Sequence, residues 1–449
     1  MHELSHQMLD AILRELGGAS TPCVFRDEDS LPSIFGTSDL AAASVGAAGL
    51  MLAQLSGIGG EVAVSRRLAS LWFGWSIQPQ GWELPPLRDV VTGDYRAADR
   101  WIRLHTNAPH HRAAALAVLD CAPEHEAVAR AVAGWQADEL EAAVVAQGGC
   151  AATMRTIEEW REHPQGRALS EAPLFLQESR DCAPWTWRPD PTRPLRGLRV
   201  LDLTRVLAGP VATRFLAGFG ADVLRIDPPT WEEAGVIPEV VLGKRCARLD
   251  LRKAEDHAVF ARLLSEADVL VHGYRNGALD HLGFSAEERA ALNPNLIDVS
   301  LNAYGWSGPW RDRRGFDSLV QMSCGIANAG MSAHGAAKPV PLPVQALDHA
   351  TGYLMAAAVL RGVQARVNEQ RAMRMRLSLA RTAWLLVESP RPPERAEWQP
   401  LRPEDIAADI EQTSWGPARR VAAPVSVGGV RMQWDRPATA LGSAEARWE

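Results

Sequence analysis

An apolar run that turns through small residues into a helix, and then returns as a second apolar run, leaves few folds open. Leu198, Val200, Leu201 and Leu203 form the first run, and Ala208-Gly209-Pro210 makes the turn into a helix. Val223, Leu224 and Ile226 form the second run, which ends on Asp227 and a Pro-Pro break. This is a β-α-β unit, and short continuous apolar strands suit a parallel sheet covered on both faces. Three further strand patterns follow at 246–251, 268–272 and 296–301, with a helix pattern at 254–267. Strand and helix alternating at this pitch predict an α/β protein with a doubly wound, Rossmann-like parallel sheet.

The chain has 449 residues, too many for one ordinary core, so several domains are expected. The reading is an N-terminal helical segment at 1–90, a smaller α+β domain at 91–172 and a linker at 173–194. The sheet domain spans 195–385, and a C-terminal tail at 386–449 packs against it. In the N-terminal segment, residues 4–16 read as an amphipathic helix and 39–54 as a buried Ala/Gly helix capped by Ser38 or Asp39. Residues 62–71 read as a strand. The small domain opens with a hairpin-like alternation around 94–105, followed by helices at 112–119, 125–136 and 138–147. Asp138 is placed to cap the third of these, and Thr156 and Glu159 have capping-box spacing. Beyond Tyr304 the chain reads as irregular until a small-residue helix at 350–366, a strand at 373–379 and a Pro- and Arg-rich loop at 388–404.

Composition narrows the function. No apolar run approaches the roughly 20 residues of a membrane helix, and the N-terminus lacks the features of a signal peptide, so a cytoplasmic protein without a membrane partner is expected. The net charge of −7 argues against nucleic acid. The six cysteines form no CxxC pair and read as reduced structural thiols. No metal is expected: His105, His110 and His111 lack the context of a ligand set.

Several motifs have bland alternatives. The first βα turn lacks G-x-G-x-x-G, so Asp227 as a ribose-binding acid is a minor reading. Ser307, in Gly305-Trp306-Ser307-Gly308-Pro309, does not sit between strand and helix as a nucleophile elbow would. Lys244, Arg245, Arg248, Arg252, Lys253 and Arg275 form either a solvated face or a set of phosphate holders. Asp348, at the entry to a small-residue helix, is either a helix cap or a catalytic carboxylate. Asp39 also opens an Ala/Gly helix followed by a strand pattern, an internal echo of Asp348; Asp39 itself reads as structural.

Residues 195–357 resemble the class III coenzyme A transferases, the formyl-CoA transferase and carnitine CoA-transferase family with its acyl-CoA racemase relatives. The resemblance is carried by the 198–210 and 220–227 signatures, Gly243-Lys244-Arg245, Leu249-Asp250-Leu251 and the strand at 267–271. It continues through the Gly277–Phe284 stretch, Asn293-Pro294, Gly305-Trp306-Ser307-Gly308-Pro309 and the Asp348 helix. Trp101-Ile102-Arg103-Leu104, residues 151–160 and His163-Pro164-Gln165 resemble the family's small domain, which here precedes the sheet domain rather than following it. Residues 436–442 resemble the family's closing motif.

The resemblance implies an enzyme that moves CoA from an acyl-CoA thioester to a carboxylic acid. Asp348 is then the nucleophile, passing through an aspartyl anhydride and an aspartyl-CoA thioester, with backbone N–H groups near its helix start stabilising oxyanions. It places coenzyme A against Val206, Leu207, Ala208, Arg252, Tyr274, His281, Leu282 and Asn302. The Gly-rich loop that covers the aspartate in several transferases has no counterpart in this sequence. An acyl-CoA racemase is disfavoured because Phe316 stands where those enzymes carry a base, and a CoA-binding protein without turnover is the alternative from another class. The family implies a homodimer, although the permuted order would equally let one chain close on itself.

Overall fold

The computed structural model describes residues 2–18, 21–390 and 398–449. Its centre is a seven-stranded sheet. The six parallel strands, taken in chain order, are Arg199–Leu203, Asp222–Asp227, Arg245–Arg248, Val269–His272, Ile297–Asn302 and Arg371–Ser378, and across the sheet they lie three-two-one-four-five-six. This is the doubly wound α/β order expected from the sequence, and such an order opens a crevice beyond the carboxyl ends of the paired first and fourth strands, where their outgoing connections diverge. The helix Ala208–Gly218 follows the first strand and packs against the helix Ala346–Gln364. Gly352 makes that contact close: a Cβ there would meet the Ala208 carbonyl at 2.4 Å.

Residues 173–194, read as a linker, instead supply the seventh strand. Leu176–Asp181 pairs antiparallel with Arg371–Ser378 at the sheet edge. Its solvent-facing side chains are polar, so it has no apolar periodicity, and it is fastened by ion pairs from Arg374 and Arg376 to Glu178 and from Arg371 to Asp181. The 305–345 stretch is not irregular throughout either. It contains the helices Asp317–Ser323 and Ile326–His334, too short to show a period, separated by Gly325 in a left-handed conformation at φ 85°.

The small domain is α+β, as expected. Gly93–Arg96, Trp101–Leu104 and Ala151–Thr153 form an antiparallel sheet covered by Pro109–Leu119, His125–Val132 and Ala137–Ala146. Asp138 lies inside the third helix and pairs with Arg155, and the cap position is Gln136. The Thr156–Glu159 capping box is present. Gln165 docks this domain on the sheet domain. Its amide nitrogen donates to the Tyr304 and Ser307 carbonyls at 2.7 and 3.0 Å, and its oxygen accepts from Trp310 N–H at 2.7 Å. The Gly305–Pro309 motif is therefore a docking loop.

In the N-terminal segment Val62–Ser65 is a strand, but the strand reading of 62–71 ends there, because the Ser65 hydroxyl caps a helix at Arg66–Trp72. The strands Cys23–Arg26 and Val62–Ser65 are parallel and joined by the helix Thr37–Ser56. This repeats the order of Ile297–Asn302, Ala346–Gln364 and Arg371–Ser378, where Ser378 caps the helix Leu379–Glu388 in turn. Asp39 and Asp348 are each the third residue of their helix, and the two helices pack against each other. The echo in the sequence thus corresponds to a repeated architecture. Neither Ser38 nor Asp39 is the cap: Gly36 precedes the helix, the Ser38 hydroxyl accepts from Leu31 N–H, and Asp39 pairs with buried Arg66. Thr37–Ser56 is also long and apolar enough to cross a membrane, which corrects the sequence reading that no such run exists, but here it is packed inside the protein. Of the 388–404 loop, residues 391–397 lie outside the described residues.

The C-terminal tail ties the layers together. Glu239, with no exposed surface, accepts from the Ser76 hydroxyl, Arg214 and Arg420, joining the N-terminal segment, the sheet domain and the tail. Trp434 stacks on Trp72 at 5.5 Å and donates to the Arg214 carbonyl.

Candidate active site

The site forms where the first βα turn meets the start of the helix Ala346–Gln364. Asp202, at the end of the first strand, organises the turn: it accepts from the Thr204 N–H and hydroxyl, from Thr213 and from Lys244. The Lys244–Asp202 pair is fully buried, with Lys244 Nζ also donating to the Pro210 carbonyl at 3.0 Å. Beyond it Val206 adopts φ 64°, a conformation costly for a β-branched residue, and its N–H donates to the Glu233 carboxylate. The turn is thus held in one shape by buried charge.

Asp348 is 5 % exposed. Its Oδ2 is buried and has no hydrogen-bond partner. It lines a cavity of about 550 Å³ whose walls include Leu203, Leu301, Leu379 and Phe316. Burial, reinforced by the nearby Asp317 carboxylate, holds its pKa well above 3.8. The alternative in which Asp348 caps its own helix does not hold, because Asp317 does the capping. Asp317 Oδ2 accepts from the N–H groups of Leu347 and Asp348 at 2.8 and 3.0 Å, and its Oδ1 accepts from Gln321 at 2.5 Å. Burial pushes Asp317 up to about 6, against the pull of these donors.

This arrangement corrects one expectation. The N–H groups at the start of the Asp348 helix are all engaged: Ala346 bonds the Val344 carbonyl, His349 bonds that of Gln345, and the two between bond Asp317. They are not available to an oxyanion. The neighbouring helix, Ala208–Gly218, is differently placed: its first-turn N–H groups at Ala208 and Gly209 have no acceptor within the helix, and Ala208 shares the cavity with Asp348.

The positions carried over for coenzyme A converge here. Val206, Ala208, Tyr274, His281, Leu282 and Asn302 line the same cavity as Asp348. Leu207 and Arg252 line an adjoining cavity of about 930 Å³, to which Val206, Tyr274 and Leu282 also contribute. Arg205, missed in the sequence, connects them: its guanidinium lies 4.3 Å over the Trp231 ring and donates to the Tyr274 hydroxyl at 3.0 Å.

The six basic residues do not act as one group. Lys244 is committed to Asp202, Arg245 to Asp222, and Arg248 to the Pro228, Pro229 and Trp231 carbonyls. Lys253 precedes the helix Ala254–Glu266. Arg252, paired with Asp250 on an exposed surface, and Arg275 are the two that line cavities. Asp227 has both carboxylate oxygens engaged by buried Arg225.

The small domain forms the remaining wall. His110 and His111 line both cavities and His105 the larger, with the His105 ring stacked 3.8 Å from that of Phe316. Among the described residues no group of three or more His, Cys, Asp or Glu is set to hold a metal ion, and all six cysteines are free thiols. Asp39, by contrast with Asp348, accepts from Ser5 and Arg66.

The family model for CoA-transferase family III matches residues 195–438, more than half of the chain. The acetyl-coenzyme A transferase nodX of Hypoxylon pulicicidum is 33 % identical over 230 residues, which cover 49 % of this chain and 39 % of that protein. The probable fatty acyl-CoA transferase Rv3272 of Mycobacterium tuberculosis is 34 % identical over 185 residues, 38 % of this chain and 46 % of that one. A crystal structure of Rv3272 aligns at 33 % identity and a TM-score of 0.40, covering 42 % of this chain and 55 % of the other. The chain therefore spans less than two thirds of the length of these relatives. The family model, and the motifs that surround Asp348, place this chain in CoA-transferase family III.

Proposed function

We propose that this protein transfers coenzyme A from an acyl-CoA thioester to a carboxylic acid, with Asp348 as the covalent relay. The observation that carries the reading is the Asp348 carboxylate: buried, with one oxygen unpartnered, in a cavity shared with six of the eight positions carried over for coenzyme A. A structural carboxylate buried to this degree would be paired, as Asp39 is with Arg66.

In the first step the Asp348 carboxylate attacks the thioester carbonyl. The C–S bond breaks, giving a mixed anhydride and CoA thiolate. Thiolate then attacks the Asp348 carbonyl of the anhydride, expelling the first acid as its carboxylate and leaving an aspartyl-CoA thioester. The acceptor carboxylate attacks that thioester carbonyl and releases thiolate, which returns to the acceptor's carbonyl and frees Asp348. Each step exchanges one acyl bond for another, and no net proton is taken up. Raised basicity strengthens the carboxylate as a nucleophile once it is ionised. The N–H of Ala208, the first residue of its helix and part of the cavity wall, supplies a donor for the tetrahedral oxyanions.

An exchange assay tests the reading, with a panel of acyl-CoA donors and acids compared between wild type and Asp348→Ala. Exchange lost in the variant, with coenzyme A still bound, supports the relay. Undiminished exchange rules it out, and binding without exchange in the wild type leaves a CoA-binding protein.

A further inference from the structure

His111 is the third residue of the helix Pro109–Leu119 in the small domain. It is 5 % exposed, and neither ring nitrogen has a hydrogen-bond partner. Burying two polar atoms without partners costs free energy, so a position that keeps them has a use for them. The ring lines both cavities, including the one that holds Asp348. It lies edge-on to Phe316 at 5.9 Å, and Phe316 immediately precedes the Asp317 that caps the Asp348 helix. His111 and Asp348 thus line one cavity, with the Phe316 ring in its wall as well. Burial, with His110, Arg314 and Arg275 nearby, lowers its pKa to about 4, so near neutrality the ring offers one N–H donor and one acceptor nitrogen. Sequence alone offered these histidines only as failed metal ligands, and nothing in the fold consumes them.

We propose that His111 is a substrate-recognition residue, its ring N–H donating to a carboxylate oxygen of the acid that accepts coenzyme A. The small domain would then choose the acid, while the sheet domain holds the CoA portion. The inference rests on the transferase reading of Asp348 but goes beyond it, since the relay needs no contact from the small domain.

The test uses the full chain, acetyl-CoA as donor, and the fastest acid from a panel of propionate, oxalate and succinate. His111→Met fills the space without polar atoms, and His111→Asn restores an N–H donor. In His111→Met the KM for the acid should rise about tenfold or more, with the KM for acetyl-CoA changed less than about twofold. Adduct formation at Asp348 from acetyl-CoA alone should be retained. His111→Asn should recover part of the acid KM, and the ligand-free His111→Met protein should melt no lower than wild type, because two unpartnered atoms are removed. Equal changes in both KM values, an unchanged acid KM, or a lowered melting temperature without kinetic selectivity would each overturn the proposal. If the wild type forms no adduct at Asp348 and exchanges none of the panel acids, it is the transferase reading that fails.

Discussion

Asp317→Asn separates the charge of Asp317 from its shape. In the folded protein the side chain is fully buried, and burial lifts its carboxyl from 3.8 to about 6 although three donors surround it. At 1.36 kcal/mol per tenfold change in acidity, ionising Asp317 in place costs about 3 kcal/mol more than ionising it in the unfolded chain. The sign follows directly. The unfolded chain releases this proton near 3.8 and the folded protein holds it to about 6, so the penalty grows from about pH 4 and is complete above about pH 6. Asparagine keeps an oxygen for the Leu347 and Asp348 N–H groups but cannot accept from Gln321, a loss of about 1 kcal/mol. Relative to wild type, the variant should therefore gain roughly 1 kcal/mol or more between pH 5 and pH 8, because removing the Asp317 charge also eases ionisation of Asp348. Urea unfolding of both proteins at the two pH values measures this. In exchange assays the acid limb of the rate profile should move to lower pH, since the Asp348 carboxylate forms more readily. A variant that loses relative stability as pH rises would show that Asp317 is a well-stabilised anion and refute the reasoning.

Three other changes probe the frame around the site. Gln165→Ala removes three hydrogen bonds between the small domain and the Tyr304–Trp310 loop, and should cost about 2–4 kcal/mol in urea unfolding while exposing that loop to protease. Lys244→Met removes the ion-pair partner of the buried Asp202 carboxylate beneath the first βα turn, so a loss of about 3–5 kcal/mol and weaker CoA binding by calorimetry are expected. Arg66→Met strands Asp39 in the same way and should destabilise the protein by a similar roughly 3–5 kcal/mol, without creating a second acyl-accepting residue detectable by mass spectrometry.

The central sheet was legible because its strands are buried on both faces and so appear as continuous apolar runs, from Leu198 to Leu203 and on through Ile297. The edge strand Leu176–Asp181 was not, since one polar, ion-paired strand at a sheet margin has no hydrophobic signature. Asp348 was found through family motifs and not through periodicity; on pattern alone the helix cap was the favoured reading. What the sequence could not convey is the long-range pairing that decides between those roles. Asp317 lies 31 residues before Asp348 yet caps its helix, and Arg66 lies 27 residues beyond Asp39 yet neutralises it. His111 was visible only as one of several histidines. Its meaning depends on a domain packing that places a residue of the small domain in the same cavity as Asp348.

The most direct measurement is to trap the acyl-enzyme. Wild-type protein mixed with an acyl-CoA that it turns over, quenched with hydroxylamine and mapped by peptide mass spectrometry, should carry a hydroxamate on Asp348 and on no other carboxylate. A hydroxamate at Asp317 or Asp39, or CoA exchange that proceeds with Asp348 unmodified, would contradict the account.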